Sequence, residues 1–115
     1  MAVECQFMAD EPLVLPFDSL DWEEEAPGIR ARAAEVTEQR WALVEYAQGA
    51  QREEWCADGH RGLVLEGAIE YEFNDGSPPL SAAKGEAFRL PGGSGHRGRN
   101  VAAAPTRLFL IDDPA

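Results

Sequence analysis

Positive charge is scarce in this chain. Among its 115 residues, 21 are aspartate or glutamate and 10 are lysine or arginine, which gives a formal net charge of -11 at pH 7. A field of this sign repels phosphate backbones and anionic lipid headgroups. We therefore expect neither nucleic acid nor a membrane surface as a partner, and we interpret acidic runs such as DWEEE (residues 21–25) as solvated surface.

Cysteines and long hydrophobic stretches are also few. The sequence has two cysteines, Cys5 and Cys56, and two cysteines do not make a disulfide framework. No stretch approaches the length of a membrane span, and the first residues lack a basic segment followed by an apolar one. These features predict a cytoplasmic protein with free thiols, and the chain length allows a single hydrophobic core.

Short apolar segments separated by proline and glycine predict an all-β domain. Residues 28–36 and 40–49 have the alternation and the branched or aromatic residues of strands. In residues 62–76, apolar side chains alternate with Glu70 and Glu72 before an Asn-Asp-Gly turn. Further strands are expected at residues 86–90 and in TRLFLID, residues 106–112. No segment is predicted as a helix, and this series of short strands favours a β-sandwich or a small barrel.

The first 27 residues have a weaker pattern. PLVLPF, residues 12–17, is predicted as an edge strand because proline is tolerated at a sheet edge. Trp22 is expected to plug an open end of the core. We therefore divide the chain into an N-terminal extension, residues 1–27, whose edge strand packs on the barrel, and a barrel domain, residues 28–115.

The most specific pattern lies in GEAFRLPGGSGHRGRN, residues 85–100. Its defined positions, separated by five, one, two and three residues, are Gly85, Pro91, Gly93, His96 and Asn100. This spacing resembles the second cupin motif at every defined position. The resemblance covers roughly residues 28–112 and implies a double-stranded β-helix, the jelly-roll barrel of small single-domain cupins. Alternation from His96 then places its side chain in the barrel lumen and those of Arg97 and Arg99 outside.

The first cupin motif is only half present. In the family it consists of a glycine, five residues, His-x-His, three or four residues, a glutamate, six residues and a glycine. Here six residues separate His60 from the closing glycine, Gly67, so His60 occupies the position where the family has its glutamate. If the motif is counted back from Gly67, with three residues between the histidine pair and the glutamate position at His60, the missing histidine pair falls on Glu54 and Cys56. If the motif is counted forward from Gly49 as its first glycine, the histidine pair falls on Trp55 and Ala57.

The first alignment implies a metal site formed by His60, His96, Cys56 and Glu54, whereas the second leaves only the two histidines. Glu54 and Cys56 are two residues apart and would share one strand face. Such a donor set suits a divalent metal: zinc is favoured, with nickel, iron or cobalt as alternatives, because a thiolate disfavours oxygen-activating iron. Without a metal, Cys56 would be a small buried side chain and both histidines would belong to the core.

Aromatic residues are more numerous than packing in a barrel of this size requires. Trp55 is a candidate for the lumen wall because it neighbours the metal-site residues, but alternation places it outside if Glu54 and Cys56 point inward. The residues expected to line a ligand pocket are Trp41, Tyr46, Tyr71, Phe88 and Asn100.

Three functions are compatible with this sequence. The first is a small protein that binds a small molecule in the lumen with the help of a divalent metal. The second is a metal-dependent oxygenase, isomerase or hydrolase, which the incomplete first motif disfavours, and the third is a metal-free sensory or structural module. A homodimer is expected in each case, because a partner commonly covers the exposed sheet edges of so small a domain.

Overall fold

The computed structural model describes the backbone of residues 5–7 and all of residues 11–114, and the regular structure of these residues is almost entirely β. The elements in chain order are β1 (Cys5–Phe7), a 3-10 helix (Phe17–Ser19), β2 (Glu23–Ala26), β3 (Ile29–Val36), β4 (Gln39–Tyr46), β5 (His60–Glu66), β6 (Ala68–Phe73), β7 (Leu80–Ala83), β8 (Ala87–Leu90), β9 (His96–Asn100) and β10 (Thr106–Asp112). The prediction of an all-β domain is confirmed. The predicted free thiol of Cys5 lies outside the described side chains.

The strands form two sheets. The larger has the order β1-β3-β4-β10-β5-β8, with β2 also on β3, and the smaller has the order β7-β6-β9. All these pairs are antiparallel except β1 with β3. Among the described residues, no helix is long and apolar enough to cross a bilayer.

The two sheets pack around one core because alternate residues of their strands are apolar and buried. The larger sheet contributes, among others, Ala42, Val44 and Tyr46 from β4 and Leu108 and Leu110 from β10, and the smaller contributes Ile69, Tyr71 and Ala82. Gly67, between β5 and β6, has φ +82°, and a Cβ there would lie 2.2 Å from the Thr106 hydroxyl. The turn from β5 to β6, where the chain passes from the larger sheet to the smaller one, therefore requires glycine at this position.

The edge strand predicted for PLVLPF is wrong, because residues 12–16 form no strand. Instead β2 pairs antiparallel with β3, and β1 pairs with β3 in parallel. The two prolines of PLVLPF lack the N–H group that a sheet ladder needs. The division of the chain after residue 27 stays a prediction.

Trp22 lies against the outside of the larger sheet and does not plug the core. Its ring centroid is 4.1 Å from the guanidinium carbon of Arg30 and 4.4 Å from that of Arg32. Both arginines project from the outer face of β3, because Ile29 and Ala31, which alternate with them along the strand, are buried in the core. Cation–π contacts therefore hold the start of β2 on the outer surface.

Trp41 also lies on the outer face, so the prediction that it lines the lumen is wrong. Its neighbour Ala42 is buried on the inner face of β4, and successive side chains of a strand point to opposite faces. The Trp41 ring packs edge-to-face on Phe109 at 6.1 Å, and Phe109 packs in the same way on Phe17 at 6.1 Å. The short 3-10 helix thus covers part of the outer surface.

Asn100 fastens the end of β9 to two loops and does not line the lumen, contrary to the prediction. Its Nδ2 lies within 2.9 to 3.2 Å of the carbonyl oxygens of Tyr46, Ala47 and Ala104. Its Oδ1 accepts a hydrogen bond of 2.8 Å from the hydroxyl of Thr106. The amide is fully used in holding the backbone and has no group left for a ligand.

Thr106→Val is expected to lower the free energy of unfolding by about 1–2 kcal/mol, because it leaves buried polar groups without a partner. Thr106 is 0% exposed. Its hydroxyl accepts from the N–H of Ala68 at 3.0 Å as well as contacting Asn100, and valine has a similar shape without the hydroxyl. Urea unfolding followed by tryptophan fluorescence measures the change. An unchanged midpoint with an unchanged slope would contradict the prediction.

Candidate metal centre

Cys56 and His96 face each other across an antiparallel bridge at the start of β9. The N–H of Cys56 donates to the carbonyl of His96 at 2.9 Å, and the N–H of His96 donates to the carbonyl of Cys56 at 2.8 Å. Side chains directly opposite in such a pair project to the same side. The predicted alternation of β9 is confirmed, since His96 and Gly98 are buried while Arg97 and Arg99 are more exposed.

His60, the first residue of β5, joins this pair from the larger sheet. Its Nε2 lies 3.7 Å from Sγ of Cys56, and its ring centroid lies 4.9 Å from that of His96. Its Nδ1 lies 2.8 Å from Oδ1 of Asp112. Asp112 is the cross-strand neighbour of His60 in β10, so the register of β5 and β10 directs Nε2 of the imidazole toward Cys56.

The group Cys56, His60 and His96, called here the Cys-His-His cluster, has dimensions close to those of a metal site. One ligand atom from each residue lies within 4.8 Å of the other two. Ligand atoms at tetrahedral angles around zinc are about 3.3–3.6 Å apart, given bonds of about 2.0–2.3 Å. The sulfur and Nε2 of His60 are already near this separation, and Asp112 is placed like the outer-shell carboxylate of a metal-bound histidine.

His96 is a buried residue whose polar atoms are left unsatisfied. Its exposed fraction is 2%, and among the described residues neither Nδ1 nor Nε2 has a hydrogen-bond partner. A buried polar group without a partner costs about 1–3 kcal/mol, and native proteins contain few of them. A metal ion in the Cys-His-His cluster would bond one of these nitrogens.

The protonation states of His96 and Cys56 are compatible with metal binding. Burial, and then the proximity of His60, lower the pKa of His96 to about 4, so its imidazole is neutral at pH 7 and has a lone pair to offer. Burial raises the pKa of the Cys56 thiol, so the thiol is protonated at neutral pH in the metal-free protein. A bound metal would displace that proton.

Glu54 is not brought to the Cys-His-His cluster, and the prediction that it shares a strand face with Cys56 is wrong. The segment from Gln51 to Cys56 pairs with β9 only at its two ends, through bridges to Arg99 and His96. It spans five residue steps where β9 spans three, so the residues between the two bridges loop outward. Glu54 and Trp55 lie on the loop and are exposed. Trp55 is 42% exposed, with the Arg97 guanidinium carbon 4.0 Å from its ring centroid, so it lies outside the lumen and the prediction that it forms part of the lumen wall is wrong.

A cavity of about 290 Å³ opens beside the Cys-His-His cluster. The cluster lines it together with Tyr46 and Tyr71, two of the five residues predicted for a ligand pocket. Phe88 does not line it but is buried in the core, with its ring centroid 5.3 Å from that of Tyr71. Burial raises the pKa of both tyrosines, so both hydroxyls are protonated at neutral pH.

Six charged residues that the sequence did not predict as site residues also line this cavity: Glu25, Arg40, Arg52, Asp58, Arg97 and Asp112. Arg40 and Asp112 occupy inward positions of β4 and β10, so strand alternation contained a signal for both. Glu25 and Arg52 lie at a register shift and in a loop, where a period of two residues makes no prediction.

Comparison with known proteins identifies the fold. Neither a protein-family model nor a curated protein matches the chain by sequence. Among solved structures, an RmlC-like cupin from Shewanella frigidimarina matches with a TM-score of 0.71 and 15% identity, over 92% of this chain and 93% of that one. A protein of unknown function from Rhizobium leguminosarum has a TM-score of 0.74 and 16% identity, over 91% and 99%.

A variant of oxalate decarboxylase from Bacillus subtilis matches with a TM-score of 0.73 and 18% identity, over 91% of this chain and 31% of that one. Similarity at this level of identity concerns the fold, and one fold supports many activities. The architecture implied by the second motif is confirmed: this chain has the double-stranded β-helix fold of the cupins.

Proposed function

We propose that this protein binds a divalent metal ion, zinc in the first place, through Cys56, His60 and His96, and a small molecule in the adjoining cavity. The observation that carries the proposal is the imidazole of His96, which is buried beside a thiol and a second imidazole and finds no hydrogen-bond partner for either nitrogen among the described residues. A thiolate and two imidazoles are donors that zinc accepts, with nickel, iron and cobalt as alternatives.

The cavity supports the small-molecule part of the proposal. Its volume of about 290 Å³ is at the lower end of the range of ligand pockets, and its wall combines aromatic rings with charged groups. A metal held by three protein ligands keeps a position for water or a ligand and supplies Lewis acidity there. The bound molecule would therefore be small and polar.

A metal-dependent enzyme is the second candidate function. The hydroxyls of Tyr46 and Tyr71 favour it, because they are protonated and lie on the wall of the cavity that the Cys-His-His cluster lines. Such groups can donate a proton to a reacting molecule. Hydrolysis or isomerisation agrees with a thiolate-bound zinc better than oxygenation does.

The cytoplasmic location and the homodimer remain predictions from the sequence. Two neighbouring side chains on the outer face of β5, Leu63 and Leu65, support the dimer, since each is 37% exposed. Exposed apolar side chains that lie next to each other on a sheet are a common feature of subunit interfaces.

Cys56→Ser is expected to weaken zinc binding more than about 100-fold, since loss of an outer-shell partner alone costs about 10- to 100-fold. Cys5→Ser is the matched control because Cys5 is the only other cysteine in the sequence. Zinc affinity is measured by competition with a chromophoric chelator, and cobalt substitution reports the thiolate through its charge-transfer absorption. Circular dichroism checks that both variants are folded.

The expected pattern is one zinc per chain for the unmodified protein and for Cys5→Ser, with the cobalt–thiolate absorption missing only in Cys56→Ser. Equal zinc affinity in the two serine variants would remove Cys56 from the site. Failure of the unmodified protein to bind any of the four metals would overturn the proposal and leave the metal-free module.

A further inference from the structure

Glu25 enters the cavity from a bulge in the edge strand β2. In the pairing of β2 with β3, Glu23 and Glu24 face successive residues, and the register then shifts before Ala26, so Glu25 is the extra residue. A bulge turns the side chain of the extra residue away from the regular alternation and is frequent beside functional sites. The side chain of Glu25 is 24% exposed although it belongs to an edge strand.

The carboxylate of Glu25 lies between two arginines at the cavity wall. Its Oε1 accepts from Nη2 of Arg52 at 2.6 Å, and its Oε2 accepts from Nη2 of Arg40 at 2.8 Å. Nε of Arg52 in turn donates to the hydroxyl of Tyr46 at 3.1 Å. All four residues line the same cavity as the Cys-His-His cluster.

The Arg52 guanidinium is held ready for an anion. Burial by itself would lower its pKa, but Tyr46 and Glu25 raise the pKa above its ordinary value, so the group is fully charged. Its position is fixed by the Tyr46 hydroxyl independently of Glu25. Guanidinium groups bind planar carboxylates through charge-assisted hydrogen bonds. Arg52 and Arg40 bind the carboxylate of Glu25 in this way.

We propose that the cavity takes a small carboxylate ligand whose carboxylate replaces that of Glu25 on Arg52 and Arg40. Glu25 acts as a built-in competitor: the arginines keep their hydrogen bonds when one carboxylate exchanges for another, and the bulge lies at an edge strand where the released side chain can turn to solvent. This inference deepens the proposed function, because the other end of the ligand would reach the metal.

Malonate is a suitable probe, with malonamide as an uncharged molecule of the same shape. Binding is measured by isothermal titration calorimetry to the protein with and without zinc, in the unmodified chain and in Glu25→Gln. Glu24→Gln is the matched control, since it removes the same charge from the neighbouring residue of β2, which does not line this cavity. Glu25→Gln is expected to bind malonate about tenfold more tightly than the unmodified protein does. This factor corresponds to a site that the Glu25 carboxylate leaves free for about one-tenth of the time.

The double variant Glu25→Gln with Arg52→Gln is expected to lose this gain, while zinc content stays equal in all variants. Equal malonate affinity in Glu25→Gln and Glu24→Gln, or malonamide binding as tight as malonate binding, would overturn the inference. A protein that carries no zinc but shows the tenfold gain would overturn the metal proposal and leave the carboxylate site standing. The two failures are therefore distinguishable.

Discussion

His96→Leu is expected to abolish zinc binding and, at the same time, to stabilise the metal-free protein by about 1–2 kcal/mol. In the metal-free state both ring nitrogens of His96 are buried with no hydrogen-bond partner in the described part of the chain, and such a group costs about 1–3 kcal/mol. Leucine fills a similar volume without polar atoms, so it removes this cost. In the zinc-bound state the order reverses, because only the histidine gains the metal bond.

His60→Leu is the contrasting variant, because it is expected to abolish zinc binding with the opposite effect on the metal-free protein. Nδ1 of His60 lies 2.8 Å from the carboxylate of Asp112, which is partly buried, and leucine would leave that carboxylate without this partner. Urea unfolding of both variants and of the unmodified protein, each with zinc and with a chelator, measures the four differences. A loss of stability on His96→Leu in the chelator would show that His96 has a structural role that does not depend on metal.

The fold was predictable because it depends on regular features of the sequence. The spacing from Gly85 to Asn100 and the alternation in β9 place His96 inside the barrel, as found. The placement of Trp41 and Tyr46 was predictable only in part. They differ by an odd number of positions in one regular strand, so they lie on opposite faces, and only the burial of Ala42 shows which face is inner.

The site was less predictable, because its residues meet through irregular backbone. Cys56 reaches His96 through a single bridge after a loop, and no periodic pattern fixes where a loop returns. Glu25 depends on a bulge in β2 that no local signal in DWEEE marks. Asp112 is different: it occupies an inward position of a strand whose other inward positions are apolar or small, and that contrast could have identified it.

Asp112→Asn is expected to weaken zinc binding by about 10- to 100-fold without preventing folding, because it removes the carboxylate that orients a metal-binding histidine. The carboxylate accepts from Nδ1 of His60 and so keeps Nε2 as the free electron pair that faces Cys56. An asparagine amide can still pair with Nδ1, but it neither carries the charge nor selects this tautomer. Both effects reduce the share of His60 that is ready to bind zinc.

Asp113→Asn is the matched control, because Asp113 is the next residue and makes a different contact. Its two carboxylate oxygens accept from Nη1 and Nη2 of Arg89 at 2.7 and 2.8 Å on the exposed rim, and it is not a member of the Cys-His-His cluster. Chelator competition on both variants at one pH gives the ratio of their zinc affinities. Because the two substitutions remove the same charge from neighbouring positions, a general electrostatic effect predicts similar losses, whereas orientation of His60 predicts a large loss in Asp112→Asn alone.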